Sequence, residues 1–254
     1  MRQEKRERHA KILATLGEEP SVRVAALAHQ LGVSTETIRR DFEELTRTGL
    51  ISRTYGGAVR KLGADTHSAA EHQKLLLAER QRIAKAAVDE VADARILLIG
   101  SGATAVMVAQ QIAARLKHIT VVTHSFAVAA AAGVNHLVEV MMIPGLYHSA
   151  KASTTGGHAI VFLQNLYADW VILGASGLTE DGPNDAMPEI AAVNVAMLSR
   201  AARCLIAADQ SKFNQPFSTR FADWSQISTL VTDAAPPTGL RKTLESNHVK
   251  LLVA

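Results

Sequence analysis

The sequence predicts an α/β chain of two domains: a small helical one closed by a β-ribbon, and a larger one built on a mostly parallel sheet. Three observations lead there. Residues 24–45 hold two short amphipathic helical patterns separated by Gly32. Residues 49–57 hold a short run that begins and ends in glycine. From Arg95 onward, short apolar runs alternate with helical patterns, as strands covered on both faces do. A chain of 254 residues has room for both domains, the larger with a core of its own.

In the N-terminal part, Ile12, Leu13 and Leu16 define the apolar side of a first helix. Ser21 is placed to cap a second, in which Val24, Leu27, Ala28 and Leu31 recur at i, i+3, i+4 and i+7. Gly32 follows, where a left-handed residue ends a helix at low cost, and Val33 packs beneath the turn. Ser34 caps the third helix, and Glu36 suits the positive end of its dipole. Thr37 stands where a full capping box needs Glu or Gln. Ile38, Phe42 and Leu45 form one stripe; at about 100° per residue, Arg40 and Glu36 lie opposite it, with Thr37 and Arg39 on its flanks.

A helix buried on one side, with arginines and hydroxyls on the other, fits a recognition helix in the major groove. Gly49–Gly57 reads as the wing of a winged helix-turn-helix, with Arg53 and Tyr55 along the phosphate backbone. The residues expected at double-stranded DNA are Ser34, Thr35, Glu36, Thr37, Arg39, Arg40, Arg53 and Tyr55. Charge agrees: residues 1–61 hold 12 Lys+Arg against 8 Asp+Glu, and residues 62–254 hold 15 against 16. The net positive charge lies where phosphates would be met.

The domains are expected at 1–58 and 75–254, joined by a linker at 59–74 with little periodicity. A helix resumes near Leu75 with Ile83, Ala84, Ala87 and Val91 on one face. Strands are expected at Ile96–Ile99, Ile119–Thr123, Val138–Ile143, Trp170–Leu173, Cys204–Ala207, Leu230–Thr232 and Val249–Val253. Helices are expected at Thr104–Leu116, Phe126–Ala132, Glu189–Ala201 and Gly239–Ser246.

In such sheets ligands bind beyond the carboxyl ends of the strands. The residues there are Ser101, Gly102, Ala103 and Thr104; Thr123, His124 and Ser125; Gly145; Gly174, Ala175, Ser176 and Gly177; and Asp209 with Lys212. Small residues expose backbone amides, hydroxyls donate to phosphate oxygens, and Lys212 supplies a charge. Together they describe a pocket for a small anion.

Other readings of these residues are weaker. Gly100–Ala105 fits G-x-G-x-x-A between a strand and a helix, but no Asp or Glu occurs between Thr104 and Glu139 to hold a ribose, so no dinucleotide cofactor is expected. His148 and His158 lack metal-ligand spacing, so no metal is expected. Cys204, the single cysteine, cannot form an intramolecular disulfide and lies in an apolar run, as a buried side chain would. Trp170, Phe221 and Trp224 read as packing residues, and Asp181, Asp185 and Glu189 as mostly solvated, with room for one at the pocket mouth. The N-terminus carries no apolar signal region and no 18-residue apolar run follows, which points to the cytoplasm.

The segment VAALAHQLGVSTETIRRDFEELTRTGLISRTYGGA, Val24–Ala58, resembles the DNA-binding signature of the DeoR family of bacterial transcription regulators. The likeness extends through the larger domain, where the family's loops usually read D-x-G-T-T, T-N-S, G-x-x-G and D-x-S-K-F. Ser101–Thr104, Thr123–Ser125, Gly174–Gly177 and Asp209–Phe213 occupy those places. Four positions depart: Gly100 replaces the usual acid, His124 an asparagine and Asn194 a lysine, and Pro144-Gly145 a double glycine.

The resemblance implies a winged helix-turn-helix followed by a sensor domain like that of sugar-phosphate isomerases. It implies a repressor of a sugar or polyol catabolic operon, released by a phosphorylated sugar or polyol, without catalytic residues. The alternative is an isomerase-like enzyme with an accessory DNA-binding domain; its best acid–base pair is Asp209 with Lys212. Reading paired half-sites implies a homo-oligomer, a dimer or a tetramer.

Overall fold

The computed structural model describes residues 22–47, 51–54, 57–60 and 76–254, together with Lys5, Arg8, His9, Lys11, Ile12 and Thr15. Residues 51–54 and 57–60 enter only through their backbone. The chain divides into two compact units, Met1–Leu75 and Leu76–Ala254.

In the first unit, helices α1 (Val24–Leu31) and α2 (Thr35–Arg47) follow one another across Gly32. Gly32 has φ +64°, the left-handed turn expected of a helix end, and Val33 donates its amide to the Ala28 carbonyl at 3.0 Å. Strands β1 (Val22–Arg23), β2 (Ile51–Thr54) and β3 (Gly57–Arg60) form an antiparallel sheet in the order β1-β3-β2. Two details differ from expectation. Val22 and Arg23 pair with Ala58 and Gly57, so the chain enters α1 from a strand; Ser21 lies outside the described residues. Strand β3 runs through Val59 and Arg60, two residues into the expected linker. The core is Ile12, Val22, Leu27, Ala28, Ile38, Phe42 and Leu45. Leu13 and Leu16 lie outside the described residues.

The second unit is a seven-stranded, wholly parallel sheet in the order β15-β14-β12-β9-β4-β5-β6. The strands are β4 (Ile96–Ile99), β5 (Ile119–Thr123), β6 (Val138–Met142), β9 (Ala168–Leu173), β12 (Ala201–Ala207), β14 (Thr229–Thr232) and β15 (Lys250–Val253). All seven expected strands are present, with ends shifted by a few residues. Side-chain alternation divides the core between the two faces. Leu97, Ile99, Val121, Ile172, Leu205 and Val231 pack beneath α3 (Leu77–Glu90), α4 (Ala103–Arg115) and α5 (Phe126–Ala132). Leu98, Val122, Val171, Leu173, Cys204, Ile206 and Leu230 pack against α6 (Gly157–Leu163), α7 (Pro188–Leu198) and α8 (Thr238–Ser246). Each fully buried aliphatic contributes about 1.5–3 kcal/mol.

Helix α6 and two small additions were not expected from the sequence. One is the hairpin β7 (Leu146–His148) with β8 (Ser153–Thr155). The other is an antiparallel sheet of β10 (Gly177–Thr179), β11 (Gly182–Asp185) and β13 (Thr219–Arg220). Their strands are two to four residues long, too short for a periodic pattern. No helix among the described residues is long and apolar enough to cross a membrane.

Candidate functional site

The outward face of α2 is the first candidate surface. Ser34 accepts the Thr37 amide at 3.1 Å and shares a 2.8 Å hydrogen bond with its hydroxyl, so both are engaged in the cap. Thr35, Glu36, Arg39 and Arg40 are exposed. Arg40 lies 3.4 Å from Glu36 across one helical turn, with three-quarters of its side chain in solvent. The buried stripe is Ile38, Phe42 and Leu45, as expected. Arg53 sits on β2 opposite Ala58. Tyr55 lies outside the described residues.

Asp41 belongs to the buried side of the same helix, which periodicity alone did not single out. It is 2% exposed and accepts from Arg8 Nε at 2.6 Å, Arg8 Nη2 at 3.1 Å and His9 Nε2 at 2.9 Å. Burial alone would raise its pKa, but hydrogen bonds and charge from Arg8 and His9 hold it below the usual carboxylate value. The acid that ends the Arg39-Arg40-Asp41 run therefore holds α2 to the segment at Arg8–His9.

The second candidate surface lies at the carboxyl edge of the parallel sheet. The chain lays β4, β5 and β6 in one direction and then crosses to β9 on the other side of β4. That reversal is a topological switch point, where a crevice is expected between the loops after β4 and β9. Those loops touch: a Cβ built on Gly174 would lie 3.5 Å from the Ser101 carbonyl oxygen. Gly102, at φ +121°, is the N-cap of α4, and a Cβ built there meets no described atom within 4 Å. No side chain caps this helix, so its first-turn amides are available to an anion. Ser101 is half-buried and Thr104 buried at the same turn.

On one side stands the loop after β5. Thr123 Oγ1 accepts the Ser125 amide at 3.1 Å, and Ser125 Oγ accepts the Val128 amide at 3.4 Å. Their hydroxyls thus build the turn that presents His124. His124 is fully buried; its Nδ1 lies 2.9 Å from the Thr154 carbonyl, and its Nε2 has no partner among the described residues. Burial lowers its pKa, against the opposing pull of the Thr154 carbonyl and the Asp185 charge. Asp185, expected to be mostly solvated, is instead 6% exposed on β11 and accepts the Met187 amide at 3.0 Å. Gly145, after β6, closes tightly on Thr155.

On the other side, Ser176 donates its amide to the Asn184 carbonyl at 3.0 Å, and Ala175 is half-buried beside it. A methyl on Gly177 would overlap the Gln215 carbonyl oxygen, so glycine there lets two loops close. Asp209 is 1% exposed and ion-paired at 3.1 Å with Arg80 of α3, a partner 129 residues away that the sequence did not reveal. It also accepts from the Ser211 amide at 3.1 Å. Burial would raise its pKa, but Ser211, Lys212 and Arg80 together lower it. Lys212 is half-buried at the end of that turn.

Two domain profiles match the chain: the DeoR-like helix-turn-helix domain over residues 8–61 and the DeoR C terminal sensor domain over residues 76–234. The HTH-type transcriptional repressor CsqR of Escherichia coli is 28% identical over 97% of this chain and 94% of its own length. The Glycerol-3-phosphate regulon repressor of E. coli is 26% identical, over 96% and 97%. The L-fucose operon activator of Haemophilus influenzae is 28% identical, over 94% and 96%. Among solved structures, ribose 5-phosphate isomerase A of Methanocaldococcus jannaschii aligns over 52% of each chain at 16% identity and a TM-score of 0.40.

Proposed function

The chain belongs to the DeoR family of transcription regulators, and from that premise we propose that it represses a sugar or polyol catabolic operon and is released by a phosphorylated sugar or polyol. The observation that carries this reading is a reader and a sensor on one chain, each with its own polar surface. The operator would meet Thr35, Glu36, Arg39 and Arg40, with Ser34 and Thr37 at the cap and Arg53 and Tyr55 on the wing. The effector's phosphate would lie over Ser101–Thr104 at the start of α4, with Lys212 facing it; the loops at Thr123–Ser125, Gly145, Gly174–Gly177 and Asp209 complete the crevice. Reading a two-fold operator takes a dimer or tetramer acting in the cytoplasm.

Asp209 argues for a sensor rather than an isomerase. A general base needs an accessible carboxylate that can take up a proton near neutral pH, and this one is buried, paired with Arg80 and shifted downward. The test measures operator affinity against the concentration of phosphorylated sugars and polyols, beside a coupled turnover assay with aldose and ketose phosphates. Operator release without turnover is the expected result. Turnover sinks the regulator-only reading, and tighter operator binding on effector addition reverses the sign of regulation.

A further inference from the structure

The β6 edge of the larger unit carries almost no charge. Residues 118–168, 51 in all, run from the turn before β5 to the first residue of β9. They hold only Glu139 and Lys151, where the chain's 20% average would place about ten charged residues. Burial does not account for the depletion, because Phe126, Met141, Leu146, Tyr147 and Val161 of this stretch are all exposed.

Strand β7 lies at the centre of that surface. It pairs with β8 alone, in a sheet of two strands. β8 is on the inner side, where Ser153 bridges Ser125 and the Phe126 amide donates to the Ala152 carbonyl at 3.0 Å. No strand lies along the outer edge of β7 among the described residues. Neighbouring residues of a strand project to opposite faces, and one of those faces normally packs on a core. Here Leu146 is 72% exposed and Tyr147 62%, so β7 stands clear on both faces. Tyr147 meets Phe126, at the start of α5, edge to face with ring centroids 5.4 Å apart. On the other face Leu146 reaches the start of α6: a Cβ built on its N-cap, Gly156, would lie 3.5 Å from Leu146 Cδ1. Val161 follows on that helix. Met141 alternates along β6 with Val140, which packs on the α5 side, so Met141 lies on the α6 side of the sheet. An apolar surface thus runs from α5 across β7 to α6.

A second copy of the chain fits it. Across a two-fold axis a patch faces itself, so any charge it carried would meet its own sign. A surface without charge avoids that repulsion. The core of a homodimer interface is also apolar, depleted of charge and enriched in Tyr, Phe and Met. We propose that two sensor domains associate through this face, with Phe126, Leu146, Tyr147 and Val161 of one protomer packed about a two-fold axis on the same patch of its partner. The proposal takes from the operator reading above only that copies associate, and it assigns the surface.

Charge placed at Tyr147 tests it on the full chain. Tyr147→Glu and Tyr147→Lys each set like charges across the axis, and each should weaken self-association by at least about thirty-fold in sedimentation velocity. Mixed in equal amounts, the two variants should reassociate, because opposite charges then face each other; a misfolded chain would not recover in this way. Val253→Glu, at a half-exposed position on β15 at the other edge of the sheet, should keep the wild-type mass. An assembled wild type whose mass neither Tyr147 variant lowers overturns the proposal and leaves the operator reading standing. So does loss in both variants without recovery on mixing, which sets Tyr147 against some other surface. A wild type that stays monomeric removes the paired half-site reading and this proposal together.

Discussion

Replacing Asp41 separates an anchoring role from a DNA-contacting one. The carboxylate is 2% exposed and holds three hydrogen bonds to Arg8 and His9. Breaking a fully buried pair costs about 3–5 kcal/mol. Arg8 and His9 keep 21% and 18% of their side-chain surface, so hydration recovers part of that, and we expect Asp41→Ala to cost about 2–3 kcal/mol. A reader of this size has on the order of 3–8 kcal/mol in total, so the loss is a large fraction. At about 4–8 °C per kcal/mol, its midpoint should fall by roughly 10–20 °C. Both tryptophans, Trp170 and Trp224, lie in the sensor, so their emission follows only that unit. Hydrogen exchange of the α2 amides follows the reader. The expected result is lost protection in α2 with an unmoved tryptophan transition. The depressed pKa sets the pH dependence: the contribution is present above the unfolded value of about 3.9 and is lost as pH falls through the lower folded value. Wild type and Asp41→Asn should therefore converge on acidification. Unchanged α2 protection refutes the anchoring role, and lost operator binding with protection intact makes Asp41 a DNA contact instead.

Arg40→Ala should lose about 1–3 kcal/mol of specific operator affinity per contact, and Arg53→Ala should weaken all sequences alike and lower the salt slope; footprinting across salt concentrations tells the two apart. Lys212→Ala should forfeit a charge-assisted contact of about 1.5–3 kcal/mol, so operator titrations should show release only at higher effector concentration, with effector-free affinity unchanged. Gly177→Ala forces a methyl into the Gln215 carbonyl and should destabilise the sensor by about 1–3 kcal/mol or more, read as a lower urea midpoint. His124, held neutral by burial, gives stability that is present above its unfolded pKa of about 6.5 and lost as pH falls below it; the sensor's melting temperature should drop from pH 7 to pH 5, and His124→Phe should flatten that slope.

Periodicity made most of the fold legible. Seven strands and most of the helices of the larger unit follow from runs such as Ile96–Ile99 and Val121–Thr123, because a strand covered on both faces must be apolar throughout. The stripe Ile38, Phe42, Leu45 placed the reading helix for the same reason. Short pieces escaped. Strand β1 is two residues long and exists because it pairs with Ala58 and Gly57, a partner 34 to 36 positions away along the numbering. A local window reads Val22 as the start of the helix that follows it.

Charged residues at the candidate sites were legible as types but not as pairs. Asp209 stands at a strand end where the sequence placed a polar function, and Asp41 in α2, where periodicity did not single it out. Each is buried because a distant arginine neutralises it: Arg8 is 33 residues away and Arg80 is 129. Without those partners a buried carboxylate would be too costly to keep charged, so burial and partner imply one another. Spacing rules see neither, since they act within a turn or a strand. Asp185 completes the pattern from the other direction. A Gly/Pro-containing loop reads as solvated, yet β11 carries this residue inward to within electrostatic reach of His124. The strand ends say where a ligand belongs, and long-range pairing decides which of their polar groups remain unsatisfied to bind it.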